Sequence, residues 1–120
     1  MKSSTVFPQA NEHSIQLAIL QFLAFAGVYA WRNQSGALPA VYRGRKRLIR
    51  FGKVGSADIL GVLPGGKLLA IEVKAMKGKV TPAQQEFLDN INSNGGVAFV
   101  ARSIEDVQQH IGSLLTTVRS

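Results

Sequence analysis

Apolar residues at Ile15, Ala18, Ile19, Phe22, Leu23 and Ala26 recur at spacings of three and four. That period predicts a helix beginning at Asn11 and stopped by Gly27. Val28 to Asn33 reads as a strand. Residues 34–44, interrupted by Gly36, Pro39 and Gly44, read as a loop, and Arg45 to Phe51 as a basic strand. The turn Gly52 to Ala57 then leads into two apolar, β-rich runs, 58–63 and 67–74, separated by Pro64-Gly65-Gly66, which is a hairpin signal. Thr81-Pro82-Ala83-Gln84 carries an N-cap, a proline at the first helical position and a glutamine three residues past the cap. Phe87, Leu88 and Ile91 supply that helix's buried face, and Asn94-Gly95-Gly96 ends it. Val97 to Val100 has the continuous apolar character of a buried strand. Ser103 caps a last helix carrying Ile104, Val107, Ile111, Leu114 and Leu115. The crossover through the 81–94 helix makes the 97–101 strand parallel to 67–74. The expected fold is a single mixed α/β domain, with one central sheet flanked by helices, over residues 10–118 after a flexible stretch 1–9.

The hairpin has a chemical consequence. If its turn centres on Gly65, positions that sum to 130 face one another, and Asp58 and Glu72 are such a pair. Their side chains are then about 5 Å apart. Two carboxylates that close repel unless a proton or cation lies between them. Period-two alternation puts Lys74 on the same face as Glu72. The alternative is an exposed strand face with a Glu–Lys pair, but two acids in so apolar a hairpin argue for a task.

Charge sharpens this picture. The net charge is +7, and no acid other than Asp58 and Glu72 interrupts the segment from Arg32 to Lys79. Arg32, Arg43, Arg45, Lys46, Arg47, Arg50 and Lys53 supply its first half. A basic field of this kind fits a polyanionic partner, DNA above all. The competing view is a basic surface that serves solubility, with 45–51 a solvated edge strand. The absence of cysteine excludes disulfides, thiolate metal sites and cysteine nucleophiles. No apolar run spans a bilayer and Met1-Lys2-Ser3-Ser4 lacks a signal-peptide layout, so the expectation is a soluble, cytoplasmic protein without a membrane partner. No Walker-type loop is present to support a nucleotide enzyme.

Asp58, the hairpin and Glu72-Val73-Lys74 in this element order resemble the PD-(D/E)XK nuclease superfamily. Within it, the chain resembles a stand-alone VRR-NUC domain. The pieces that match are Glu12 in the first helix, Gly55-Ser56-Ala57-Asp58, Ile71-Glu72-Val73-Lys74, and Thr81-Pro82-Ala83-Gln84 ahead of a helix ending in Gly95-Gly96. The resemblance runs from about Glu12 to Asp106. Ala57 stands where the superfamily's motif has proline. The resemblance implies an Mg²⁺- or Mn²⁺-dependent deoxyribonuclease whose ion is held by Asp58, Glu72 and the backbone carbonyl of Val73. It further implies Glu12 as an additional metal-site acid, acting through water, and Gln84 as a functional amide.

The residue types make chemical sense. A divalent ion acidifies water and offsets charge developing on a phosphate, and magnesium needs only one or two carboxylates. Lys74 can orient or deprotonate the water, or neutralise the transition state. Taken without the resemblance, Glu12 reads as an acid complementing the helix dipole, and Gln84 as half of a capping box. Gln85 is the fallback should the alignment slip by one residue. His13 reads as a surface residue. Trp31 reads as core, although an aromatic near basic residues also suits distorted DNA. The function expected is endonucleolytic cleavage of branched or flapped DNA, such as four-way junctions, by a homodimer. Ile111, Leu114, Leu115 and Val118 can pack on a twin helix as easily as on the sheet. The rival is a non-catalytic nucleic-acid-binding module, for which the Asp–Glu–Lys trio would be unnecessary.

Overall fold

The computed structural model describes residues 10–117. The Asn11 side chain accepts from the Ser14 N–H at 2.8 Å and so caps α1 (Glu12–Phe25). Gly27, at φ +82°, lets the chain turn away after the helix. The remaining elements are β1 (Tyr29–Arg32), β2 (Gly36–Tyr42), β3 (Arg45–Phe51), β4 (Ile59–Val62), β5 (Leu68–Val73), α2 (Pro82–Ser93), β6 (Val97–Ala101) and α3 (Ile104–Thr117).

The central sheet has the order β1-β4-β5-β6. β1 pairs antiparallel with β4, β4 antiparallel with β5, and β5 parallel with β6, as the crossover predicts. The β4–β5 register follows the sequence expectation: Ile59 faces Ile71 and Val62 faces Leu68. The turn between them uses Gly65 and Gly66 at φ +92° and +94°. Alternation then sorts the strands' side chains between two cores. Ile59, Leu69, Ile71, Val73, Phe99 and Ala101 pack against Ile15, Ile19 and Leu23 of α1 and Val107 and Ile111 of α3. Ala70 and Ala98 face α2, whose Leu88 they bury together with Ala57. Two helices therefore cover one face and a single helix part of the other.

Two expectations need correction, and one open alternative is decided. Residues 36–42 form a strand, not a loop. Pro39 demotes such a run on sequence grounds, yet it is accommodated within a two-stranded sheet opposite Leu48. Its turn is Arg43-Gly44 with φ +52° and +75°, a two-residue connection with both angles positive. Arginine at the first of these positions hid the signal. The second correction follows: the basic strand lies in this separate β2–β3 ribbon, not in the central sheet. Of the two partners open to the apolar face of α3, the sheet takes it: Ile111 is fully buried in the core, and Leu114 and Leu115 pack against that core. Val118 and the stretch 1–9 expected to be flexible lie outside the described residues. Among those described, no helix is long and apolar enough to cross a membrane.

Candidate active site

Glu72 leaves β5 on the face shared with Ala70, toward α2, and Lys74 follows on the same side. Both are buried, at 2% and 8% exposure, which is unusual for charged residues. The Lys74 Nζ stands 3.6 Å from Glu72 Oε2. Glu72 Oε1 is buried with no hydrogen-bond partner. Burial, followed by the negative charge of Asp58 and a hydrogen bond to its carboxyl, pushes the Glu72 pKa up to about 8 against the opposing pull of Lys74. Asp58 and Glu72 thus meet as the register predicts, one step beyond the last paired residues of β4 and β5.

Asp58 is fixed by the backbone around it. Its Oδ2 accepts the Val73 N–H at 2.8 Å. Its own carbonyl accepts the Asn33 N–H at 2.7 Å, while Asn33 Nδ2 donates to Ser56 Oγ at 2.9 Å and to the Ala57 carbonyl at 2.8 Å. Asn33 therefore clamps Asp58 and the two residues before it. Nothing in the sequence singles it out, because its role depends on β1 lying beside β4.

Gly55 explains how α2 meets this loop. It sits at φ +80°, and a Cβ there would come within 2.8 Å of the Ala83 carbonyl oxygen. The first turn of α2 is thus pressed against the segment that carries Asp58. The capping box is present: Thr81 Oγ1 accepts the Gln84 N–H at 3.1 Å, and Gln84 Oε1 accepts the Thr81 N–H at 3.0 Å. Gln84 is thus held by its carbonyl oxygen at the helix start. Gln85 instead bridges along the exposed side of α2, its Nε2 donating to Asp89 Oδ1 at 2.9 Å.

Glu12 stands apart from the Asp58–Glu72 pair, and among the described residues no three acids or histidines gather as a metal-binding group. Its Oε2 nonetheless approaches Lys74 around Gly78: a Cβ on that glycine would lie 3.1 Å from Glu12 Oε2 and 3.3 Å from Lys74 Cδ. His13 is exposed, as expected.

A polar cleft of about 260 Å³ opens beside Asp58, lined by Gln16, Arg32, Asn33, Gln34, Ser35 and Ser56. Arg32 is the expected DNA-binding residue that reaches it. Gln16, one helical turn after Glu12, is an addition, and its Oε1 is buried without a partner. The helical spacing of four from Glu12 was the available signal. Arg43, Arg45, Lys46, Arg47 and Arg50 are all exposed on the ribbon, and Lys53 follows it, exposed as well. The Arg43 and Arg47 guanidiniums lie over the Tyr42 ring, at 5.5 and 6.0 Å from its centre. Trp31 is not core: it is 42% exposed, and Tyr29 is 75% exposed, with their ring centres 5.5 Å apart.

This arrangement brings two carboxylates, a lysine and a helix start to one end of a mixed sheet, and the cleft beside Asp58 takes in Gln34 and Ser35, just ahead of the cationic ribbon. The VRR-NUC domain model matches residues 14–105, which takes in Asp58, Glu72, Lys74 and Gln84 and begins just after Glu12. A solved structure described as a VRR-NUC domain protein superposes with a TM-score of 0.59 at 19% identity, covering 88% of this chain and 91% of that one. At that identity the likeness speaks for the fold. No curated protein sequence matches the chain. With the family model covering most of its length, the chain belongs to the VRR-NUC family of nucleases.

Proposed function

We propose that this protein is a divalent-metal-dependent DNA endonuclease of the PD-(D/E)XK type, acting on branched or flapped DNA. The observation that carries this reading is the buried Glu72 carboxylate, with one oxygen unpartnered and Asp58 beside it. A buried carboxylate oxygen lacking a donor is costly, and a cation shared with Asp58 would relieve both that cost and the repulsion between the acids. The donor set, all oxygen, suits Mg²⁺ or Mn²⁺. In an extended residue the N–H and C=O leave the same edge of the strand. The Val73 carbonyl is therefore directed to the side where its N–H meets Asp58 and can complete the set. Glu12 acts at longer range, through water.

When bound, the ion supplies a Lewis acid at the phosphate and a more acidic water. The chain's own residues do the rest. Lys74, held by Glu72, would either provide a positive charge that orients that water or neutralises the phosphate, or, as a neutral amine, receive the water's proton. The N-terminus of α2 offers backbone N–H groups to an anion, and Gln84, with its oxygen committed to the cap, keeps its amide N–H groups for the substrate. The β2–β3 ribbon and Arg32 bind the phosphate backbone.

The test is nicking of supercoiled plasmid by purified protein with and without Mg²⁺, beside the Glu72→Ala variant. Metal-dependent nicking that the variant lacks is the expected result. Equal nicking by both proteins, or full activity in EDTA, would overturn the assignment.

A further inference from the structure

The exposed Tyr29–Trp31 pair serves neither core and has no part in the chemistry assigned above. Its position follows from the register. Trp31 lies opposite Leu60, which faces Ala70, which in turn faces Ala98. Residues opposite one another share a sheet face. Ala70 and Ala98 belong to the core under α2, so Trp31 belongs to the face that carries Glu72. Tyr29, two residues away, belongs to it too, in line with Val62 and Leu68. α2 does not reach this far, and Tyr29, Trp31, Val62 and Leu68 are all exposed. Asn33, two residues beyond Trp31 on the same side, gives its N–H to Asp58. The Trp31 backbone is thus roughly 8 Å from that of Asp58, one residue pair along the strand and one strand across.

We infer that Tyr29 and Trp31 form a stacking platform for an unpaired base next to the phosphate being cut. This rests on the nuclease reading and narrows its substrate to DNA with unpaired nucleotides at the cleavage point. The occupant follows from three features together. The rings are tilted 56° to one another, so each offers a separate open surface to a planar ligand. The apolar strip is continuous with the face bearing the carboxylates. The surrounding segment, Arg32 to Lys79, is cationic apart from Asp58 and Glu72, which suits a base delivered on a phosphate chain and opposes a second copy of the same charge. Bases of any kind stack on such rings, so the platform selects for an unpaired strand without selecting sequence.

Trp31 is the single tryptophan in the chain, so its emission reports on this position alone. With EDTA present to prevent cleavage, the protein is titrated with dye-labelled DNA carrying a short unpaired flap and with blunt duplex. Binding is followed by anisotropy of the dye and stacking by Trp31 emission. Flapped DNA should quench the emission as it binds, and blunt duplex should quench it much less. Trp31→Leu should lower the preference for flapped over blunt DNA about tenfold, and Trp31→Phe should recover much of it. Unchanged emission on bound flapped DNA, equal quenching by blunt duplex, no binding of flapped DNA, or an unchanged preference in Trp31→Leu would overturn the platform. So would emission that varies with protein concentration before DNA is added, which would assign the face to a second copy. Plasmid nicking separates the two readings. Intact nicking without quenching removes the platform alone, while quenching without nicking removes the nuclease and leaves the platform standing.

Discussion

Glu72 concentrates the consequences of burial in one side chain. Its carboxyl, pushed up to about 8 by desolvation and by Asp58 in the metal-free protein, holds its proton to higher pH than an ordinary carboxyl. The unfolded chain releases that proton near the ordinary value of 4.5, so between these values the native state binds more protons than the unfolded one. The contribution of Glu72 to stability is therefore complete below about 4.5 and is lost as pH rises through about 8. It amounts to a loss on the order of a few kcal/mol. Denaturant unfolding across this range in EDTA should show the decline, and Glu72→Gln should flatten it. A wild-type profile that is flat or rises with pH would refute this account of Glu72. For catalysis, Asp58→Ala, Glu72→Ala and Lys74→Ala should each lower cleavage by roughly 10²–10³-fold or more. Affinity for DNA should stay within a few-fold, because the cationic ribbon is untouched. A Lys74→Ala protein that cuts at the wild-type rate would remove the lysine from the mechanism.

At the scale of elements, the β2–β3 ribbon and the start of α2 are positioned by different forces. The ribbon is held by its own ladder and its Arg43-Gly44 turn, with cations on both faces. Arg45 and Arg47 alternate with Lys46 along β3, and the three are exposed. Reversing the charge of all three should weaken binding to every DNA sequence and lower the salt slope by roughly one unit per lost phosphate contact. Binding unchanged at all salt concentrations would leave the ribbon to solvent. The junction of α2 with the Asp58 loop rests on Gly55. Gly55→Ala strains a positive φ and drives a methyl into the Ala83 carbonyl. It should cost roughly 1–3 kcal/mol and reduce cleavage by displacing the loop. Thermal unfolding beside a nicking assay would check both, and an unchanged Tm would show that the contact yields easily. The capping box was legible beforehand because it is a four-residue pattern. The ribbon was not, because proline within a strand and arginine at a positive φ both break the local rules.

For the whole molecule, a single carboxylate pair addresses one strand, whereas branched DNA presents two strands for cutting. Two copies related by two-fold symmetry would bring two sites to one junction. With Ile111 committed to the core, such pairing would use another surface than the apolar face of α3. Light scattering at micromolar concentration should report a dimer, and matched linear, flapped and four-way substrates should be cut in favour of the branched forms. A monomer that cuts linear duplex equally well would exclude this arrangement. The ion can be tested in the same assay. EDTA should stop cleavage, Mg²⁺ or Mn²⁺ should restore it, and Ca²⁺ should permit binding with little turnover, because it acidifies water less.

What the amino-acid order determined by itself is whatever depends on near neighbours. The turn at Gly65 and strand alternation sufficed to set Asp58 against Glu72 and to align Lys74 with them. Thr81 and Gln84 sufficed to start α2, and the crossover length sufficed to make β6 parallel to β5. Tertiary structure alone decided which faces are covered. Trp31 has the apolar character of a core residue, and only the reach of α2 leaves it in solvent. Glu72 reads as a strand acid, but its buried, unpartnered oxygen depends on packing from both sides of β5. Asn33 and Gly55 acquire roles only because β1 lies beside β4 and α2 lies against the Asp58 loop. Periodicity and turn chemistry act over a few residues, whereas burial and electrostatics depend on what distant segments bring to the same place.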